Sequence, residues 1–224
     1  MKEAPFRPIW LIRHAESEYN ALPRETAPIG GRSDHLKLTP RGERQAQALG
    51  RRLARLRAGG LRFAPSAFTS PSERAVRTAE LALDRLAGMF RVSDDRLTER
   101  GMGAWEGKPG QECYTPEIRK ALDEDPEHWR CPGGESYSEV GRRMEEAVLS
   151  TLEHAGTSET ILIFTPGLAI RCALARLLKG SWRGVQRDTT LNASITEIRF
   201  HPNGGFWSCG RINDAAHLET LEEP

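Results

Sequence analysis

The apolar positions of this chain fall into two rhythms that alternate along its length. Short apolar runs at residues 9–12, 67–70, 90–92, 160–165, 194–200 and 206–209 predict β-strands. Between them, apolar residues recur three and four apart. Pro40, Arg41 and Gly42 open a helix to about residue 57 with Ala46, Leu49, Leu53 and Leu56 on one face, and Gly59-Gly60 ends it. Similar patterns predict helices over 72–86, 137–153 and 167–178. Short strands interleaved with long helices predict an α/β fold. Residues 101–134 break the alternation. Pro109, Pro116, Pro126 and Pro132 punctuate them, so they read as an irregular excursion with one short helix near 116–123, covering a site. No internal repeat, low-complexity tract or linker divides the chain, and residues 1–224 read as one domain.

Composition narrows the function classes. At 224 residues with 38% hydrophobic positions the chain can bury a core without staples. Its most apolar stretch, around residues 161–164, is far below the ~20 residues that span a bilayer, and no apolar run follows Met1-Lys2. Membrane association and export are therefore not expected. Cys113, Cys131, Cys172 and Cys209 lie far apart without zinc or dithiol spacing, which predicts reduced thiols and a cytoplasmic location, with Cys172 in the core. Lys plus Arg total 32 against 31 Asp plus Glu, a net charge of +1 that argues against a nucleic-acid binder. The arginines of the first helix (Arg41, Arg44, Arg51, Arg52, Arg55 and Arg57) read as a solvated face. An anionic ligand must then be held by a local cluster.

One such cluster follows the first strand, where Leu11-Ile12 runs into Arg13-His14-Ala15-Glu16-Ser17-Glu18-Tyr19-Asn20. The carboxyl ends of strands in an open α/β sheet point into the ligand crevice, so Arg13 and His14 should emerge at the functional rim. A fixed cation beside an imidazole of reference pKa about 6.5 suits nucleophilic attack on phosphorus at neutral pH.

These residues and several spaced motifs resemble the histidine phosphatase superfamily, also called phosphoglycerate mutase-like, over nearly the whole chain. The Arg13-His14-Ala15 strand end is similar to its hallmark. Leu38-Thr39-Pro40-Arg41-Gly42 is similar to the turn into its first helix, and Pro132-Gly133-Gly134-Glu135-Ser136 and Asn213-Asp214-Ala215-Ala216-His217 also look familial. The resemblance implies a three-layer α/β sandwich with a mainly parallel central sheet and helices on both faces. It also implies that Asn20 contacts phosphate. The segment Thr69-Ser70-Pro71-Ser72-Glu73-Arg74 resembles the one that delivers a second phosphate-binding arginine, here Arg74. The segment Leu97-Thr98-Glu99-Arg100-Gly101 resembles the one that carries the acid, here Glu99. Physically the assignments are coherent. Arg13 and Arg74 forks can hold the oxygens over which a transferring phosphoryl spreads its charge, and a Glu99 carboxyl can protonate the leaving alkoxide.

One position departs from the family pattern. The run Ile163-Phe164-Thr165-Pro166-Gly167-Leu168 matches the turn after the late strand but has Pro166 where the family usually carries a second active-site histidine. Proline offers neither a side-chain donor nor an N–H. Loss of a transition-state donor costs about a hundredfold or more in rate. His217 and His35 are the candidate substitutes, and the N–H groups after Pro166 are another source of donors.

The leading expectation is phosphomonoester hydrolysis through phospho-His14, impaired by Pro166, on a small phosphorylated substrate selected by residues 101–134. Three alternatives stay open: mutase-like phosphotransfer, a catalytically weak phospholigand-binding or regulatory role, and another reaction on an anionic substrate with His14 and Glu99 as acid and base. No cofactor and no metal is expected, because arginines can neutralise phosphate and no ligand cluster stands out. The sequence leaves a homo-oligomer open.

Overall fold

The computed structural model describes residues 6–23, 26–156 and 159–221. Six strands form one sheet: β1 (Arg7–Arg13), β2 (Phe63–Thr69), β3 (Phe90–Ser93), β4 (Thr160–Thr165), β5 (Ile195–His201) and β6 (Phe206–Cys209), in the order β3-β2-β4-β1-β5-β6. The pairs β2/β3, β2/β4 and β1/β4 are parallel, while β1/β5 and β5/β6 are antiparallel. Among the described residues seven α-helices accompany them: α1 (Pro40–Ala58), α2 (Glu73–Leu83), α3 (Gly110–Cys113), α4 (Pro116–Glu124), α5 (Tyr137–Thr151), α6 (Gly167–Leu177) and α7 (Trp182–Arg187).

The three layers follow from the two-residue period of a strand. Ile9 and Leu11 of β1, with Ile161 and Ile163 of β4, face a core completed by α5 and α6. The alternate residues Trp10, Ile12, Leu162 and Phe164 face a second core built on Leu49 and Leu53 of α1 and Ala79 and Ala82 of α2. Every residue of β4 is buried, as a central strand covered on both faces requires. The sheet is thus mostly parallel and flanked by helices on both sides, the arrangement expected from the resemblance.

Helix boundaries follow local chemistry. Thr39 caps α1 by accepting from the Gly42 N–H at 2.9 Å, and Pro40 needs no donor at that first position. Ser136 and Glu139 form a reciprocal capping box at the start of α5. β2 begins earlier than its apolar run because Pro65 and a register shift between Phe63 and Ala67 interrupt the alternation there. The short helices α3 and α7 carry too few turns for a visible period. α4 coincides with the helix expected near 116–123, and the stretch around it has its own small cluster of Met102, Trp105, Cys113 and Cys131. Among the described residues no helix is long and apolar enough to cross a membrane.

Candidate active site

Strand β1 switches from a parallel neighbour to an antiparallel one, and the crevice lies beyond its carboxyl end. Arg13 pairs in register with Thr165 of β4. The His14 N–H donates to the Thr165 carbonyl at 3.3 Å, and the His14 carbonyl accepts from Ala193 N and from Asn192 Nδ2, each at 3.2 Å. The imidazole therefore projects from a backbone tied on both sides. A cavity of about 300 Å³ opens there, and its lining includes Arg13, His14, Asn20, Arg74 and Glu99.

His14 is only 4% exposed, and its Nδ1 lies 2.8 Å from the Ala15 carbonyl. A carbonyl accepts only, so Nδ1 bears the proton and Nε2 keeps its lone pair. Burial, followed by the charges of Arg13 and Arg74, pulls the His14 pKa well below its ordinary value. The ring is neutral at pH 7.

Both guanidiniums are held by backbone carbonyls. Arg13 Nη1 donates to the Thr190 carbonyl, while its buried Nε has no hydrogen-bond partner among the described residues. Burial lowers the Arg13 pKa to about 10 against the pull of Glu99, and it remains cationic at pH 7. Arg74, on the first turn of α2, donates from Nη1 to the Ser33 carbonyl at 2.7 Å. The Glu99 carboxylate accepts from the Arg100 N–H at 2.8 Å and from the Leu168 N–H of α6 at 3.3 Å. Arg143 of α5 supports this loop by donating to the carbonyls of Arg96, Thr98 and Glu99. Asn20 Oδ1 accepts from Ser17 and from Asn192 Nδ2, which leaves the Asn20 amide NH2 as its remaining donor.

The five expected site residues thus share one cavity. Pro166 ends the β4 turn as the residue before α6, with φ −68° and ψ 164°, and α6 reaches the cavity through Leu168. The two histidines considered as substitutes for the missing donor do not join them. His35 is exposed on a turn, and neither it nor His217 lines the cavity. His217 is buried against α1, its Nδ1 3.2 Å from Arg52 Nη1. The sequence reading missed Tyr19, Arg100 and Tyr114 in the lining and Asn192 behind His14. Arg100 adjoins Glu99 and was legible as a neighbour. Asn192 sits in a loop whose approach to β1 is purely tertiary.

Known proteins share this sequence pattern and this fold. The model of the histidine phosphatase superfamily (branch 1) matches residues 9–215. A Yersinia enterocolitica protein named "Probable phosphoglycerate mutase GpmB" is 34% identical over 217 residues, covering 94% of each chain. Among solved structures, Bacillus stearothermophilus YhfR superposes with a TM-score of 0.78 at 28% identity, over 95% of this chain and 100% of that one. A mycobacterial glucosyl-3-phosphoglycerate phosphatase superposes with a TM-score of 0.76 at 25% identity, over 93% and 99%. With its sheet, its cavity and its sequence in accord, the chain belongs to branch 1 of the histidine phosphatase superfamily.

Proposed function

We propose that this chain hydrolyses phosphomonoesters through a phosphohistidine at His14, with turnover reduced by Pro166. The observation that carries this reading is the buried, neutral His14 with a free Nε2 in one cavity with Arg13, Arg74 and Glu99. Nε2 attacks phosphorus, the P–N bond forms as the P–O bond to the leaving group breaks, and Glu99 delivers a proton to the departing oxygen. Arg13, Arg74 and the Asn20 amide stabilise the equatorial oxygens. Water then attacks the phosphohistidine, gives a proton to Glu99, and frees phosphate and His14. Pro166 withholds one donor from both steps.

The test is phosphate release from a panel of monoesters by this chain, Pro166→His and His14→Ala, with intact mass reporting a phosphoryl group on the protein. Turnover or phosphoenzyme that persists in His14→Ala would overturn the assignment. Tight ester binding without turnover in either chain bearing His14 supports a binding or regulatory role instead.

Mutase chemistry is the second reading, favoured by the name of the 34% identical Yersinia relative. It is separated by the fate of the phosphoryl group: recovery on a second hydroxyl of the acceptor marks a mutase, and release as inorganic phosphate marks a phosphatase.

A further inference from the structure

Next to the 300 Å³ cavity lies a larger chamber of about 800 Å³, and the two share Ile29, Tyr114 and Leu168 in their walls. The smaller space suits a phosphoryl group, and the larger one has the size of a ligand pocket. Its described lining is mixed: Leu122, Tyr137 and Val185 are apolar, while Arg119 of α4 and Arg171 of α6 supply two cations against the single carboxylate of Asp123.

Each guanidinium is tethered by a backbone carbonyl. Arg171 Nη1 donates to the Asp188 carbonyl, and Arg119 Nε donates to the Tyr114 carbonyl at 3.0 Å, its head 5.6 Å from the Tyr114 ring centre. Among the described residues neither pairs with a carboxylate, and the buried Arg171 Nε has no hydrogen-bond partner. A fixed guanidinium with donors to spare is a receptor for a planar or tetrahedral anion. Arg171 follows Leu168 by three residues and so shares its helix face, about one turn further from the shared wall. After burial, the charge of Arg171 contributes to lowering the Arg13 pKa, so the two cations lie within electrostatic reach of each other.

We propose that this chamber is a leaving-group subsite selecting phosphomonoesters with a second anionic group, which Arg171 and Arg119 hold while an apolar linker lies against Leu122, Tyr137 and Val185. The proposal rests on the reading of the smaller cavity as the phosphoryl site. It assigns substrate choice to α4 and α6.

Calorimetric titration of the full chain tests it with inorganic phosphate, a series of linear ω-phosphooxy carboxylates of increasing length, and the matched carboxamides at constant ionic strength. At one or more chain lengths the carboxylate should bind about tenfold more tightly than its amide. The Arg171→Gln and Arg119→Gln variants, checked for folding by thermal melting, should each shrink that ratio. Equal affinities of acid and amide at every length, with inorganic phosphate still bound, overturn the subsite and leave the phosphoryl site standing. Absence of phosphate binding overturns both. Should Arg171→Gln fail to fold, the acid-to-amide ratio of the unaltered chain and of Arg119→Gln decides.

Discussion

Gly167 lies against the edge of the Arg13 guanidinium, so close that a Cβ built on it would stand 2.9 Å from Nε and 3.1 Å from Cδ. Arg13 cannot swing aside freely, because Nη1 is anchored on the Thr190 carbonyl and Thr190 Oγ1 in turn donates to the Gly167 carbonyl at 3.3 Å. Gly167→Ala should therefore displace the guanidinium at a cost of about 1–3 kcal/mol of overpacking. Inorganic phosphate should bind about tenfold more weakly to this variant. Unchanged affinity in a calorimetric titration would mean that Arg13 does not touch the anion.

Pro166→His should raise the turnover number about a hundredfold, the usual worth of one restored transition-state donor. The backbone permits the exchange, since φ −68° and ψ 164° lie in the extended region open to any residue. Pro166→Ala separates the two effects of the change, for it frees the backbone without adding a donor. If alanine accelerates phosphate release as much as histidine does, the missing imidazole is not what limits the reaction.

A proton donor matters only when the leaving oxygen needs one. Glu99→Gln should slow hydrolysis of an alkyl phosphate by about a hundredfold, and that of p-nitrophenyl phosphate far less, because nitrophenolate departs unprotonated. The Arg100 and Leu168 N–H groups donate to separate oxygens of Glu99, so a glutamine keeps one of these hydrogen bonds and loses the other. An equal loss with both esters, seen in their kcat values, assigns Glu99 to binding rather than to proton transfer.

His14 should stay neutral, protonated on Nδ1, well below pH 6.5. Its pKa is lowered first by burial and then by Arg13 and Arg74. Removing one cation must raise it, so the nitrogen-15 resonances of His14 should titrate at higher pH in Arg74→Gln than in the parent chain. A midpoint that moves down, or a ring carrying its proton on Nε2, contradicts the proposed nucleophile.

The sequence reading went furthest where a residue's role is set by its neighbours in the chain. Arg13 and His14 were legible because a buried strand dictates where its carboxyl end points. The start of α1 was legible because Thr39 and Pro40 carry their capping chemistry with them. Arg74 and Glu99 needed the resemblance, since an arginine on a helix and a glutamate in a loop are ordinary surface residues until folding brings them to one cavity. Whether His217 or His35 could fill the gap at Pro166 was not legible for the same reason. Nothing within a few residues of His217 reveals that Arg52, far away in sequence, claims its ring. Residues 101–134 showed their irregularity but not that Gly110, Arg119 and Asp123 would wall a chamber beside the site.

His217 should instead make the fold acid-sensitive. Arg52 donates to its Nδ1 at 3.2 Å, an arrangement that requires an unprotonated nitrogen, and burial followed by the Arg52 charge lowers its pKa to about 4. An unfolded chain, with a histidine pKa of about 6.5, binds more protons between those values, so stability falls as pH drops from 6.5 toward 4. The loss assignable to His217 is about 3 kcal/mol at most. Asp214, which pairs with the same Arg52 at 2.5 Å, has its pKa held below the usual carboxylate value, so its own loss only begins at about pH 4 and falls mainly below this window. His14 adds a separate loss over the same range, so the comparison must be made against a variant that retains it. His217→Gln keeps an oxygen acceptor for Arg52 but cannot titrate, and its unfolding free energy by urea titration should decline less steeply between pH 6.5 and 4 than that of the parent. Parallel curves would show that the imidazole is already solvated in the folded chain.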